Sequence, residues 1–174
     1  MNPRAVAGIF VAGVLAAGAA VAQSASTRVA AQSDWSIFVE QKPKQCWVVS
    51  APKKTVNTKD GREVAVNRGE IFMFVSFWPD NKQLGEVSFM GGYPFADGST
   101  VTLTVGDAKF ELFTDGEMAW AASPDDDRRI ATAMKRGSEA QVEGRSSRGT
   151  QTKDTFSLMG FTAAYDDAMK RCTG

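Results

Sequence analysis

The chain has 174 residues, 20 Lys plus Arg against 20 Asp plus Glu, no His and two Cys. The length suits one domain, and zero net charge gives no electrostatic basis for binding nucleic acid. Without His there is no Ser-His or Cys-His dyad, no imidazole base and no His-ligated metal site.

Residues 1–4 carry one positive charge at Arg4, and residues 5–22 (AVAGIFVAGVLAAGAAVA) carry none. This is the pattern of a Sec-type signal peptide, with Ala20-Val21-Ala22 as the small-x-small site before Gln23. Val29-Ala30-Ala31 is a second candidate site. The competing reading is an uncleaved anchor, but a run this rich in Ala and Gly is weakly apolar for a span. The expected organisation is a cleaved signal over 1–22, a flexible lead-in over 23–33 and one domain over 34–174. Export implies a periplasmic location, with secretion or surface display as further destinations and membrane contact only through the signal before cleavage.

The elements follow in chain order. Residues 35–40 (WSIFVE) alternate, and residues 46–50 (CWVVS) form a second short strand. Asp60-Gly61 centres a hairpin with mixed faces, pairing Val56 with Ala65 and Asn57 with Val64. Residues 71–78 (IFMFVSFW) are almost continuously apolar, which predicts a strand buried on both sides or crossing the middle of a sandwich. Residues 86–90 place Val87 and Phe89 on one face. Residues 101–105 and 108–113 flank Gly106-Asp107, and a two-residue turn pairs Leu103 with Phe110 and Val101 with Leu112. A third hairpin turns at Arg148-Gly149.

Two helices interrupt the strands. Ser123-Pro124-Asp125-Asp126-Asp127 is a start signal of cap, first-turn Pro and dipole-matched acids, with Gly137 as the stop. Its apolar stripe is Ile130, Ala133 and Met134. Residues 161–172 put Phe161, Ala164, Tyr165, Ala168 and Met169 on one face. The fold class expected is mainly β: an antiparallel β-sandwich with one inserted helix and one C-terminal helix packed on the sheet. In an oxidising compartment two Cys favour a disulfide, Cys46 to Cys172, over two buried thiols.

Several motifs yield little chemistry. Ser50-Ala51-Pro52-Lys53 fits S-x-x-K, but Pro52 and the preceding strand prevent the helix start that this chemistry needs. Asp125, Asp126 and Asp127 offer oxygen atoms to a cation, yet consecutive helical residues diverge, so capping is preferred. Glu40, Glu86, Glu111 and Glu117 are the candidate carboxylates for a glycan hydrolase, which needs two held about 5–10 Å apart in a cleft. Residues 145–150 (RSSRGT) form a basic, hydroxyl-rich tip, read as a solvated turn with an anion-binding alternative. Arg68-Gly69-Glu70 is only loosely like an integrin-binding tripeptide. Trp35, Trp47 and Trp78 are expected mostly in the core, with Trp120 and Tyr93-Pro94-Phe95 more exposed. No nucleotide, zinc or nucleophile-elbow motif is present, so no cofactor or metal is expected.

Four stretches then stand in order along the chain: Gln45-Cys46-Trp47, Gly91-Gly92-Tyr93-Pro94-Phe95, residues 113–120 (FTDGEMAW) and residues 145–161 (RSSRGTQTKDTFSLMGF), before Cys172. On these the chain resembles the invasion-associated locus B (IalB-like) family of Gram-negative, mostly alphaproteobacterial, exported proteins. The resemblance implies an envelope protein with its two Cys bridged. The family's name comes from host-cell entry by a pathogen, but members in bacteria that invade nothing keep that role from being assigned here. The function expected is a non-enzymatic binding or scaffolding module for an envelope protein or glycan, contacting it through Tyr93, Phe95, Trp120, Arg145 and Arg148. The alternative is a carboxylate-based hydrolase of envelope glycans.

Overall fold

A computed structural model describes residues 27–174. The signal segment and the first residues of the lead-in lie outside the described residues. The strands are β1 (Thr27–Gln32), β2 (Trp35–Gln41), β3 (Lys44–Ser50), β4 (Lys54–Lys59), β5 (Arg62–Glu63), β6 (Phe72–Trp78), β7 (Gln83–Met90), β8 (Thr100–Val105), β9 (Ala108–Asp115), β10 (Met118–Ala121), β11 (Glu139–Arg145) and β12 (Gln151–Ser157). The helices are α1 (Pro124–Arg136), inserted before β11, and α2 (Phe161–Thr173) at the C-terminal end.

All described strands belong to one antiparallel sheet, ordered β1-β2-β3-β6-β7-β10-β9-β8-β11-β12-β4-β5. It is strongly folded over. β7 and β12 stand five positions apart in that order, about 24 Å if the sheet were flat. Yet the rings of Phe89 on β7 and Phe156 on β12 meet edge-to-face at 6.1 Å. The sandwich-like body is therefore one continuous sheet whose two halves face each other, not two separate sheets.

Alternation explains the core. Trp35, Ile37, Val48, Met73, Val75, Phe77, Val87, Phe89, Leu103, Leu112, Val142 and Phe156 all point to the inner face and are buried. There they join both helices in one cluster. The hairpin at Gly106-Asp107 has the expected register, Leu103 opposite Phe110 and Val101 opposite Leu112. β11 and β12 pair around Arg148-Gly149 as expected.

α1 starts at Ser123, whose hydroxyl accepts from the Asp126 N–H, and buries Asp127, Ile130, Ala131 and Met134. Ala131 rather than Ala133 completes the fully buried set. Gly137 ends the helix in an extended conformation. Its lack of a side chain serves packing, since a Cβ there would lie 2.5 Å from Val105. α2 lies on the inner face of β2, β3 and β6, and Cys172 near its end is bridged to Cys46 of β3 with the Cα atoms 5.8 Å apart.

Three expectations change. Residues 27–32 of the expected lead-in form β1, which pairs with β2 from Thr27–Val39 to Gln32–Trp35. Its side chains are mostly exposed, so it carries almost no apolar signal. The hairpin at Asp60-Gly61 is short: β5 ends at Glu63, with one further bond from Val64 N–H to the Asn57 carbonyl. The chain then leaves the sheet edge to carry Arg68 inward. Finally, β6 is covered on one face only among the described residues: Met73, Val75 and Phe77 are buried, whereas Phe72, Phe74 and Trp78 face outward, half-buried.

Candidate functional site

The two halves of the sheet are joined at one end by a clasp. Arg68 comes in from the segment after β5 and makes a two-pronged ion pair with Asp154 of β12, at 2.8 and 2.7 Å. Its Nε and Nη2 donate to the Gly91 carbonyl at 3.0 and 2.7 Å, and Nη1 also donates to Asn57 at 3.4 Å. Every guanidinium N–H thus has an acceptor. The two side chains are 6% and 0% exposed, which is tolerable only because each charge meets the other in fork geometry.

Tyr93 stands beneath this pair, with the guanidinium 4.9 Å from its ring centre. Its hydroxyl shares a 2.6 Å hydrogen bond with Thr152. Burial pushes the Tyr93 phenol above its usual range, with Thr152 and Arg68 opposing. The phenol therefore stays protonated at neutral pH.

The Gly91-Gly92-Tyr93-Pro94-Phe95 stretch is built for close approach. A Cβ on Gly91 would sit 2.7 Å from the Phe95 ring. Gly92 has φ +70° and lies against Gly69, whose N–H bonds the Gly92 carbonyl at 2.8 Å. Backbone bonds then spread outward: Gly91 N–H to Glu117, Phe95 N–H to Gly116, Ala96 N–H to Arg145 and Ser147 N–H to Pro94. One loop ties the β9–β10 turn to the β11–β12 tip.

Above this floor opens a cleft of about 490 Å³, walled by Val66, Asn67, Tyr93, Pro94, Glu117, Ser147 and Arg148. The tip expected to be merely solvated is partly internal. Ser146 is buried, and its hydroxyl accepts from the Thr150 N–H at 3.1 Å. Arg148, Glu117 and Ser147 extend from the walls and bond no other described side chain.

Of the five expected contact residues, Tyr93 and Arg148 come together here. Phe95 does not belong at the surface. It is 5% exposed, because side-chain-free Gly91 opens a slot for its ring. Arg145 is exposed but lines a neighbouring hollow with Glu143 and Lys153. Trp120 stacks on Phe113 at 5.5 Å on the outer face of the sheet. Trp35 is in the core, whereas Trp47 and Trp78 are half-buried on that same outer face. Alternation forces this: Cys46 and Val48 face α2, so Trp47 between them faces away.

The candidate carboxylates are dispersed. Glu40 bonds Gln45 on the outer face, and Glu111 accepts from Thr100 and Thr102. Glu117 alone of the four lines the cleft. Glu86 lies near Asp127, which accepts the Val87 N–H at 2.8 Å where α1 packs on β7. Burial raises both carboxyls above the usual range; Asp127 adds to the effect on Glu86, and Asp126 to that on Asp127. In the acidic run, Asp125 and Asp126 pair with Arg128 and Arg129 while Asp127 points inward.

Sequence reasoning missed the clasp. Asp154 had a signal: counting by two from the inward Phe156 places it on the core face, where a charge needs a partner. Arg68 had none, since it stands outside any regular element.

The profile of the Invasion associated locus B (IalB) protein family matches residues 35–169. A solved structure, the invasion associated protein b from Bartonella henselae, superposes with a TM-score of 0.57 over 85% of this chain and 98% of that one. At 16% identity the likeness shows a shared fold. No curated protein matches the chain. The clasp residues Gly91, Gly92, Tyr93 and Asp154 all lie in the matched range, and the chain belongs to the invasion associated locus B family.

Proposed function

We propose that this protein is exported by its N-terminal signal and works in the periplasm as a non-enzymatic binding or scaffolding module of the cell envelope. A part in host-cell entry belongs only to members found in pathogens. The cleft carries the reading. It has an aromatic floor whose polar groups are bonded internally, and walls from which Arg148, Glu117 and Ser147 are free to meet a partner protein or glycan. The hydrolase alternative would find one of its four candidate carboxylates, Glu117, in that cleft where glycoside hydrolysis uses two.

The choice of cleavage site has a physical argument. Cleavage after Ala31 would remove all but one residue of β1, a strand paired along its length with β2. Cleavage after Ala22 keeps it. The mature chain is expected to begin at Gln23, which intact-mass analysis of the protein recovered from the periplasm checks. Recovery with residues 1–22 attached contradicts cleavage, and recovery from the cytoplasm contradicts export.

Photocrosslinking in growing cells tests the binding role. A photoreactive residue at position 148 should give one discrete adduct that a residue at Gln141, on the far outer face, does not give. Indistinguishable smears from both positions would refute a contact site at the cleft.

A further inference from the structure

The outer face of the first half of the sheet is aromatic and has no covering layer among the described residues. One cross-strand ladder runs Ser36, Val49, Phe74, Ser88, Trp120, Phe113 over β2, β3, β6, β7, β10 and β9. Phe38 and Trp47 stack beside it at 5.5 Å, and Phe72, Met90 and Met118 form the next row. Ser88 faces outward yet is 5% exposed, between Phe74 and Trp120. Glu40 and Asp115 stand at the rim of this patch, and Glu86 faces outward on β7 opposite Ser76. The sequence of β6 is that of a strand buried on both faces, but only the face toward α2 is covered.

Size and shape indicate the cover. Six strands span about 24 Å and Phe72 to Trp78 about 20 Å, a footprint of about 500 Å². That is near the upper end of what a monomer leaves exposed, and close to the roughly 600 Å² per partner at which specific interfaces begin. The patch also carries both a projection and a recess. Phe113 is 50% exposed, backed by Trp120. Three strands away, Ser76 is the floor of a hollow of about 270 Å³ walled by Trp47, Phe74 and Trp78. A surface holding both is complementary to itself, which is what a twofold contact requires.

We propose that this face is where two copies of the chain associate about a twofold axis near Ser88 and Trp120. Phe113 of each copy enters the Ser76 hollow of the other. The two aromatic faces pack as sheets about 10 Å apart; Glu40 and Asp115 stay in water at the rim, and Glu86, which accepts from Gln83, lies beside the hollow.

The test is sedimentation equilibrium of the protein recovered from cells, over a concentration series. The wild type is expected to reach a dimer by the tens of micromolar, and more readily at higher salt, since salt screens the rim acids. Phe113→Glu, at a half-exposed position, should keep the native circular dichroism and raise the dimer dissociation constant at least about 30-fold. Ser76→Arg, filling the hollow, should do the same. A photoreactive residue at position 113 should crosslink within the dimer band to the segment 72–78 of the other copy. A wild type monomeric throughout, a dimer untouched by Phe113→Glu, a dimer that dissociates with added salt, or a crosslink mapping elsewhere would each overturn the proposal.

Discussion

The two halves of the sheet share one core but differ outside. Over β2, β3, β6, β7, β10 and β9 the outer ladder is Val49, Phe74, Trp120 and Phe113 with Phe38 and Trp47 beside it. Over β8, β11, β12 and β4 the equivalent positions are Thr102, Thr104, Gln141, Glu143, Lys153 and Thr155, with Lys153 paired to Glu143 at 2.6 Å. Strand alternation dictates the inner residues of both halves equally, because one core must be filled. It leaves the outer residues to be set by what they meet. Water meets the second half. The first half carries side chains that water alone does not favour.

The halves also differ in how they are held. α2 and the Cys46–Cys172 bridge lock the first half from inside, at a sequence separation of 126. Replacing both Cys by Ser should be the largest single loss, about 4–5 kcal/mol in the chain-entropy account, read by urea unfolding. A loss below about 1 kcal/mol would mean that packing of α2 suffices without the bridge.

The clasp comes next, since it joins the halves. Arg68→Ala or Asp154→Ala should each cost about 3–5 kcal/mol, because either leaves a charge buried and unpaired. The double variant should cost clearly less than the sum. Strict additivity would show that the two side chains act independently. Gly91→Ala is expected to cost about 1–3 kcal/mol by pushing on the Phe95 ring, and to loosen the cleft floor.

The smallest effect is a pH dependence at the α1–β7 contact. The folded chain holds protons on Glu86 and Asp127 more tightly than the unfolded chain, since burial raises both. Their contribution to stability therefore falls as pH rises through the raised values and returns on acidification. Asp127→Asn, which keeps an oxygen for the Val87 N–H, should flatten that part of the curve. Asp34 acts oppositely: its hydrogen bond from Lys53 lowers its carboxyl, so its contribution is lost as pH falls. An unchanged pH profile in Asp127→Asn would remove Asp127 from the account.

Much of the fold was legible because local rules decide it. Ser123 through Asp127 spells a helix start, and the Gly106-Asp107 turn fixes the register of β8 and β9. β1 was not legible, because its exposed residues at the sheet edge follow no apolar pattern. In the candidate site, Tyr93 and Arg148 were legible as turn residues. The burial of Phe95 was not, because it depends on a slot at Gly91 that only the assembled halves create. The aromatic outer face was half-legible: β6 announced two apolar faces, but only the sheet order shows which one α2 covers.

Hydroxyl-radical footprinting of the purified protein, dilute against concentrated, tests the contrast between the halves most directly. Phe38, Trp47, Phe74, Phe113 and Trp120 should lose reactivity together as concentration rises, while Tyr93 in the cleft keeps its own. Equal reactivity of the outer aromatic rings at both concentrations would contradict it.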